Sequence, residues 1–388
     1  MAKPPVFRWQ GQHNDDRSEQ TSKYIDWDAL LEEVQALNHS LRCAYDGRYH
    51  VGGRHTVRRI EFIDTKELWL VRIPIIPIMP TPPTSELVNT WWTAERRFTM
   101  ESEIATMKYI AKSTEIPVPA VFGYKCSLDK NLVKLPYLLM ECIEGNMLYD
   151  LGGPGILNDE QKNKIRKSIA AIQCQMATAA VDKLGSLILL PNGQIDIGPL
   201  PAAFGFSGPF TSEIDYFISW AEHVKFGNLK FLKSRQEDTD FIRDLRREAV
   251  EFPSRLKVEI EQFLPREQSS KRAVYPIVHP DFLQHNILYD DEYNVVGVID
   301  WEFAHSSPPE IFAARTNMYS HFDPESLRVI TESEYLETMT DVETEMGQGY
   351  GLSQAFGSTL GEIGICMNGF EEGRATKFSQ VLARLKNI

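Results

Sequence analysis

The chain has 388 residues, of which 43% are hydrophobic and 24% are charged, a length and composition typical of a globular protein with room for two lobes. Its formal net charge of -13 at pH 7 argues against a nucleic-acid-binding surface, because such a surface needs clustered basic residues that displace counterions from phosphates. An acidic surface suits a cationic small molecule, and it equally often serves solubility alone.

The cysteines and the N-terminus bear on the compartment. The five cysteines are an odd number, lie far apart and form no CxxC pair, which favours reduced thiols over a disulfide framework. The first segment, MAKPPVFRWQGQHNDDRSEQ, is polar and lacks the apolar core of a secretory signal. No apolar run is long enough to cross a bilayer. We therefore expect a cytoplasmic protein without a membrane segment.

The first half of the chain alternates between helical and strand patterns. A polar arm leads into a helix predicted over Trp27–Leu41, where apolar residues recur at helical spacing. Antiparallel strands are predicted over Thr56–Phe62 and Leu68–Ile73. A second helix is expected over Ala94–Lys112, and a buried strand over Val133–Glu144 then leads into a linker. This order indicates a β-rich unit that carries one main helix.

Glycines cluster in the turn predicted before the first of these strands, at Gly47, Gly52 and Gly53. Glycine in such a turn lets the backbone approach a phosphate closely and donate N–H groups to it. The pattern is not GxGxxG, and a glycine-bearing hairpin is more often only a hairpin. The cluster alone therefore predicts no ligand.

A proline-rich stretch over Pro74–Trp92 interrupts the regular patterns and ends in a tryptophan pair. Proline removes a backbone donor and fixes φ, so we expect neither a regular helix nor a central strand here. An ordered loop packed on the strands is the favoured interpretation, and a lid or apolar contact surface is the alternative.

From Asn158 onward the apolar residues follow mainly helical periodicity. Helices are predicted over Asp159–Lys183, Ser212–Val224 and Asp238–Leu264. A short strand over Val274–Val278 then precedes the most informative stretch of the sequence. After Glu302 the pattern is again helical.

That stretch, VHPDFLQHNILYDDEYNVVGVIDWE, contains an HxDxxxxN pattern formed by His279, Asp281 and Asn286. Two apolar runs separated by a polar turn follow, and the second run ends at Asp300. The runs predict a β-hairpin, which would return Asp300 to the neighbourhood of Asp281 and Asn286. Two carboxylates and an amide would then converge.

Phosphoryl transfer from a nucleotide needs such a set, because oxygen ligands must hold a metal and a carboxylate must orient the acceptor hydroxyl. Asp281 is the candidate for the hydroxyl, Asn286 and Asp300 are the candidates for Mg²⁺, and His279 would brace the loop. Taken singly, Asp281, His285 and Asn286 are as well explained by the capping of a turn.

Two hydrolytic alternatives fit less well. A zinc hydrolase would draw on His279, Asp281 and His285, but the sequence has neither HxxxH on a helix nor paired cysteines there. A Ser/His/Asp hydrolase lacks its GxSxG turn, since GFSGP has neither the spacing nor the strand-to-helix context.

HPDFLQHN followed by GVIDWE resembles the catalytic and metal-binding segments of the aminoglycoside phosphotransferase family, protein-kinase-like small-molecule kinases that include the choline kinases. HVGGRHTVRRIEF, LWLVRIP, SEIATMKYI, IPVP and YLLMECIEG are similar to the N-lobe of its fungal members, so the resemblance covers roughly residues 41–320. It implies an α+β, protein-kinase-like fold with an arm and helix over 1–40, a nucleotide-binding N-lobe over 41–143 and a helical C-lobe over 144–388.

The resemblance also implies roles for the residues of the motif. Asp281 matches the family's catalytic aspartate, and Asn286 and Asp300 match its magnesium ligands. Glu103, in SEIATM, matches the helix glutamate that pairs with the phosphate-binding cation. Arg72 takes the place of the usual lysine on the third strand, as in the fungal members, and its planar guanidinium differs from an ammonium in size and hydration.

The remaining expectations concern the nucleotide. The Glu141 carbonyl and the Ile143 N–H match the hinge that meets adenine, and the turn at Gly52 and Gly53 matches the nucleotide loop. IDW stands where protein kinases have DFG, and no long activation segment or APE follows, which argues against a protein substrate.

We therefore expect a phosphotransferase that uses ATP or GTP with Mg²⁺ to phosphorylate a hydroxyl of a small molecule. The acidic composition is compatible with a substrate that carries an amine. Two alternatives stay open: a pseudoenzyme that binds nucleotide or a partner without turnover, favoured by Arg72 and the sparse glycines, and a protein kinase proper. The sequence predicts no oligomeric state.

Overall fold

The computed structural model describes residues 16–77, 83–233, 238–264, 274–314, 332–347 and 351–385. The helices, strands and contacts described below, and their numbers, are those of these ranges. Most of the predicted helical region after Glu302 is described, whereas the part of it that falls on 315–331, 348–350 and 386–388 lies outside them.

The N-terminal part is built on one antiparallel sheet. Its five strands have the order β1-β2-β3-β5-β4. The strands are β1 Cys43–Val51, β2 His55–Phe62, β3 Leu68–Pro74, β4 Val121–Lys125 and β5 Tyr137–Glu141. The predictions for β2 and β3 are confirmed to within one residue at each end. The predicted strand over Val133–Glu144 is shorter than expected, and β4 was not predicted.

Four helices accompany this sheet. They are α1 Asp16–Tyr24, α2 Trp27–Leu37, α3 Ser85–Trp91 and α4 Ala94–Ser113. Helix α2 buries Leu30 and Val34 completely in a cluster with the apolar side chains of the sheet. The guanidinium of Arg58 lies 3.8 Å from the ring centroid of Tyr45 and 4.7 Å from that of Trp27. Helix α2 therefore packs on one face of the sheet.

Two local expectations for this part were wrong. Gly47 lies inside β1, where the pairing with β2 shifts register between Tyr45 and Tyr49, and does not lie in the turn. Within the proline-rich stretch, Ser85–Trp91 forms a helix whose first turn is capped by the side chain of Thr84. The helix is possible because every proline of the stretch precedes Thr84 in the sequence.

The C-terminal part is mostly helical. Its helices are α5 Asp159–Thr178, α6 Glu213–His223, α7 Asp240–Phe263, α8 Pro309–Ala314, α9 Glu332–Glu345, α10 Leu352–Phe356, α11 Thr359–Glu371 and α12 Phe378–Leu385. A cluster of buried aromatic rings that includes Trp220, Phe252, Phe370 and Phe378 packs α6, α7, α11 and α12 together. No helix in the described ranges is long and apolar enough to span a membrane.

Three short hairpins or ladders interrupt the helices. They pair β6 Ser186–Leu189 with β7 Ile195–Gly198, β8 Ile277–Val278 with β11 His305–Ser306, and β9 Ile287–Tyr289 with β10 Val295–Val298. The β9–β10 hairpin is the predicted one, with the polar turn between Tyr289 and Val295. The β6–β7 hairpin was not predicted.

Candidate active site

His279 fixes the loop that follows β8. It is almost completely buried, and its Nε2 lies 3.0 Å from the carbonyl oxygen of Ile299. The backbone N–H of Asp281 points at its Nδ1 at 3.3 Å. Since an amide can only donate, Nδ1 accepts and Nε2 carries the ring proton. Burial lowers the pKa of His279, which keeps the imidazole neutral and able to join the loop to the end of β10.

Asp281 lies half-exposed at the tip of this loop. Its Oδ2 accepts hydrogen bonds from Asn286 Nδ2 and from His285 Nε2, both at 2.9 Å. Burial raises the pKa of Asp281, but the hydrogen bond and charge of His285, with help from Asn286, outweigh it and hold the pKa below its ordinary value. The same hydrogen bond raises the pKa of His285. Asp281 is therefore a carboxylate at neutral pH.

The β9–β10 hairpin returns the chain to this loop, as the sequence predicts. Asp300 follows the hairpin directly and has a positive φ of 62°. The N–H of Ile299 donates to the carbonyl oxygen of Asn286 at 2.9 Å, so the backbones that carry Asn286 and Asp300 are joined by a hydrogen bond. Asp281, Asn286 and Asp300 thus come together.

The donor set here suits Mg²⁺. Asn286 uses its amide nitrogen toward Asp281, so its amide oxygen is not needed for these bonds. The Asp300 carboxylate, which pairs with Arg72, supplies further oxygen donors on the adjoining backbone. Mg²⁺ binds to one or two protein oxygens and completes its shell with water and phosphate. Zinc would need imidazole or thiolate ligands, and both ring nitrogens of His279 are already used. Among the described residues, no cluster of three or more His, Cys, Asp or Glu could hold a metal.

Arg72, on β3, lies at the centre of a charged cluster between the sheet and this loop. Its Nη1 forms a buried ion pair with Glu103 of α4, and its Nη2 lies 2.6 Å from Asp300 Oδ1. Burial alone lowers the pKa of Arg72, but the carboxylates of Glu103, Asp300 and Glu302 outweigh it and raise the pKa above its ordinary value. Burial raises the pKa of Glu103, and the guanidinium opposes that rise. The predicted pair of Arg72 with Glu103 is present.

His55 is a member of this cluster that the sequence analysis did not identify. Its Nδ1 lies 3.0 Å from Arg72 Nη2. Burial and the nearby charges of Arg72 and Arg54 hold the pKa of His55 well below its ordinary value, so the imidazole is neutral and accepts the hydrogen bond. Strand alternation could have identified His55. Val57 pairs with Arg72 across β2 and β3, and His55, two residues before Val57, lies on the same face of β2.

The predicted hinge begins at the C-terminal end of β5, an interior strand of the sheet. The N–H of Glu141 donates to the carbonyl oxygen of Ala120 at 2.9 Å, and the Glu141 carboxylate accepts from the Ala120 N–H at 3.1 Å. The side chain of Ile143 packs against Gly297 of β10, where an added Cβ would lie 2.9 Å from Ile143 Cδ1. The hinge therefore connects the sheet to the hairpin that carries Asp300.

The predicted nucleotide turn connects β1 and β2. The N–H of Gly52 donates to the carbonyl oxygen of His55 at 2.8 Å. Neither Gly52 nor Gly53 has a positive φ, and a Cβ added at Gly53 would meet no atom within 4 Å. The protein's own backbone and packing therefore do not require glycine at Gly53, and the space beside it is open.

Two curated proteins are similar to part of this chain. Both are named altered inheritance of mitochondria protein 9, mitochondrial. The one from Komagataella phaffii is 25% identical over 209 residues, which is 45% of this chain and 32% of that protein. The one from Clavispora lusitaniae is 24% identical over 142 residues, which is 36% of this chain and 21% of that protein. The chain thus matches about a third or less of the length of these relatives.

The fold of this chain is similar to that of a solved structure over nearly its whole length. The crystal structure of a candidate aminoglycoside phosphotransferase from Ralstonia eutropha aligns with a TM-score of 0.50 at 15% identity and covers 94% of this chain and 95% of that one. An ethanolamine kinase from Plasmodium vivax aligns with a TM-score of 0.47 at 13% identity, over 98% of this chain and 96% of that one. The first alignment confirms the predicted protein-kinase-like fold.

The family resemblance is confirmed independently. A family model described as phosphotransferase enzyme family (APH) matches residues 91–311, which is more than half of the chain. The match begins just before α4 and ends within α8, so it includes Glu103, the hinge and the whole HxDxxxxN loop with Asp300. The chain therefore belongs to the phosphotransferase enzyme family.

Proposed function

We propose that this protein transfers the γ-phosphoryl group of ATP or GTP to a hydroxyl group of a small molecule, with the help of Mg²⁺. The observation that carries the proposal is the convergence of Asp281, Asn286 and Asp300 beside the Arg72–Glu103 ion pair. Phosphoryl transfer depends on positioning and on charge stabilisation, and these five side chains provide the groups for both.

Asp281 is assigned to the acceptor hydroxyl. Its lowered pKa keeps it ionised, so it can orient the hydroxyl and accept its proton as the phosphoryl group is transferred. Both hydrogen bonds from Asn286 and His285 end on Oδ2, and we therefore assign Oδ1 to the acceptor. Two bonds on one oxygen hold the carboxylate in a fixed orientation.

Asn286 and Asp300 are assigned to Mg²⁺, which when bound neutralises charge on the nucleotide's phosphates. Arg72 is assigned to the phosphates on the other side, and Glu103 and His55 hold its guanidinium in place. Because Arg72 already contacts Asp300 at 2.6 Å, the cation and the metal ligand lie close enough to act on the same phosphate group. The hinge at Glu141 and Ile143 is assigned to the purine, and Gly52 and Gly53 to the phosphates.

The test is a screen of nucleotide consumption over hydroxyl-bearing metabolites, amines included, with Asp281→Ala as the blank. We expect acceptor-dependent formation of ADP or GDP that requires Mg²⁺ and falls about 100-fold or more in the variant. Phosphate that moves only to generic proteins would identify a protein kinase instead.

One observation favours the pseudoenzyme alternative. Arg72 pairs directly with Asp300, and this contact neutralises the carboxylate that is assigned to the metal. The pseudoenzyme alternative predicts that the protein binds nucleotide but forms no product with any acceptor. It also predicts that Arg72→Lys changes neither the nucleotide binding nor the absence of product.

Two broader expectations belong to this proposal. We divide the chain into an N-terminal arm and helix over 1–40, a nucleotide-binding lobe over 41–143 and an acceptor-binding lobe over 144–388. We also propose a cytoplasmic location, a small-molecule substrate, and neither nucleic acid nor membrane as a partner. The names of the two yeast relatives include the word mitochondrial, so fractionation of cells that express the tagged full chain is the direct test of location.

A further inference from the structure

Arg54 links the nucleotide turn to the segment that carries the expected metal ligand. It follows Gly52 and Gly53 in the turn between β1 and β2. Its Nη1 lies 3.1 Å from Oε2 of Glu302, which comes two residues after Asp300. Its guanidinium carbon lies 4.8 Å from the ring centroid of Phe303. A single side chain thus reaches from the turn to the Asp300 segment. We refer to the region between Gly53, Arg54, Arg72 and Asp300 as the cleft.

The backbone on both sides of this contact is held in place. The carbonyl oxygen of Arg54 accepts from the N–H of Ile75 at 2.8 Å, and His55 pairs with Pro74 in the sheet. On the other side, the N–H of Ala304 donates to the carbonyl oxygen of Trp301 at 3.2 Å, which closes the turn that contains Glu302 and Phe303. The side chain of Arg54 is nevertheless 63% exposed, whereas that of Glu302 is 18% exposed. Arg54 is therefore the exposed partner of the pair. Its backbone is fixed by the sheet, and its guanidinium is able to change partner.

The charges alternate across the cleft. Arg54 binds Glu302, and Arg72 binds Asp300 and Glu103. A guanidinium binds carboxylates and phosphates through the same parallel N–H groups. Because the Arg54 side chain is 63% exposed, a phosphate group that enters the cleft can reach its guanidinium and replace Glu302 as its partner.

We propose that Arg54 is a phosphate-binding residue of the nucleotide site, and that its guanidinium pairs with Glu302 only while no nucleotide is bound. This inference rests on the proposed function, because it assumes that a nucleotide binds in this cleft. It explains how a turn with few glycines holds phosphates: Arg54 supplies a charged donor from the same turn, beside the open space at Gly53. Phe303 keeps the guanidinium over the cleft through a cation–π contact.

The two partners then have opposite effects on binding. Removing the charge of Arg54 removes a phosphate contact and weakens nucleotide binding. Removing the charge of Glu302 removes the anion that competes with phosphate and strengthens binding. A contact that only holds the two segments together would instead give effects of the same sign, because either substitution breaks the same bond.

The experiment measures the affinity of the full chain for ADP and for adenosine by calorimetry, with and without Mg²⁺, because Glu302 is close to Asp300. We expect Arg54→Gln to weaken ADP binding about 10-fold and to leave adenosine binding unchanged within about two-fold, since one charge-assisted bond to phosphate is lost. Arg54→Lys should recover part of the loss. Glu302→Gln should strengthen ADP binding, also without Mg²⁺.

Arg42→Gln is the matched control. Arg42 forms an exposed ion pair with Asp64 at 3.2 Å near the opposite end of β1 and β2, so the same change of charge is made in the same sheet away from the cleft. It should leave both affinities unchanged. Equal weakening of ADP binding by Arg54→Gln and Glu302→Gln would overturn this inference but not the proposed function. Equal loss of ADP and adenosine binding in Arg54→Gln would have the same meaning. Absence of ADP binding by the wild-type chain would overturn the proposed function as well.

Discussion

At the scale of single residues, the pair of His285 with Asp281 makes the candidate active site sensitive to pH. Each partner shifts the pKa of the other toward the charged pair, raising that of His285 and lowering that of Asp281. His285 thus contributes stability below its unfolded pKa of about 6.5, and that contribution disappears as the pH rises through its raised folded pKa. Asp281 contributes above its unfolded pKa of about 3.9 and loses the contribution as the pH falls.

His285→Ala should therefore cost stability only in the acidic window where both partners are charged. We expect a loss below about 1 kcal/mol at pH 5, because both side chains are about half exposed and solvent screens the pair. Urea unfolding of both proteins at pH 5 and at pH 8.5 measures it. A loss that is just as large at pH 8.5 would mean that the imidazole acts through packing and not through charge.

The buried pair of Arg72 with Glu103 predicts strong non-additivity. Arg72→Met leaves the Glu103 carboxylate buried without its main partner, which should destabilise the protein by about 3–5 kcal/mol. The double variant Arg72→Met with Glu103→Leu removes both charges and should be more stable than Arg72→Met alone. Urea unfolding of the wild type, the two single variants and the double variant gives the coupling. If the losses in the free energy of unfolding of the two single variants add up to that of the double variant, Arg72 and Glu103 do not interact as described.

Several site residues could be identified from the sequence, and others could not. Asp281, Asn286 and Asp300 lie within one stretch, so local patterns were enough to predict that a hairpin brings them together. Arg54 and Glu302 are far apart in the sequence, and no local pattern pairs an exposed arginine with one particular carboxylate. The roles of all these residues stay predictions.

At the scale of elements, the linker after the hinge packs tightly on the β9–β10 hairpin. A Cβ at Gly145 would lie 2.6 Å from Val296 Cγ2 and 3.0 Å from Leu288 Cβ. The next residue, Asn146, pairs with Tyr289 through two backbone hydrogen bonds of 2.8 Å. Close packing and two backbone hydrogen bonds therefore hold the linker against the hairpin, and this contact fixes the position of the hairpin that precedes Asp300 relative to the predicted hinge.

Gly145→Ala should destabilise the protein by about 1–3 kcal/mol, since the added methyl forces the hairpin away from the linker. Gly53→Ala is the matched control, because the same methyl meets no atom within 4 Å there and stability should change by less than about 0.5 kcal/mol. Chemical denaturation measures both. Equal losses would show that the linker does not pack as described.

Elements were predicted where one pattern dominated and missed where two overlapped. Helix α3 was not predicted because the prolines earlier in the Pro74–Trp92 stretch argued against a helix anywhere in it, although Thr84 marks a helix start after the last proline. The β6–β7 hairpin lies in a mainly helical region, and its signal is confined to the turn at Asn192 and Gly193 between two short apolar runs. Short strands give too few residues for their periodicity to stand out.

At the scale of the whole molecule, the candidate site lies where the sheet meets the helical part. Arg72 and Glu103 come from the sheet and from α4, while Asp281, Asn286 and Asp300 come from the loop and hairpin of the C-terminal part. A ligand bound between them contacts both parts, and it should therefore stabilise the whole chain against unfolding. Ligand-dependent stability is a direct measure of this arrangement.

We expect ATP to raise the thermal unfolding temperature more with Mg²⁺ than without it. Binding at 100 times the dissociation constant stabilises by about 2.7 kcal/mol. Asp300→Ala should abolish the extra stabilisation by Mg²⁺, whereas the control Arg42→Gln should keep it. If Asp300→Ala responds to Mg²⁺ like the wild type, Asp300 is not a metal ligand.

Transfer of the γ-phosphoryl group to a small molecule is tested by following that group into the product. A metabolite extract is incubated with the full chain, Mg²⁺ and ATP or GTP labelled at the γ-phosphate with ¹⁸O, and the small-molecule fraction is analysed by mass spectrometry against Asp281→Ala. The proposed transfer predicts a labelled phosphate ester that forms with the wild type and not with Asp281→Ala. Absence of any such ester with both nucleotides, from a protein that binds them, would contradict it.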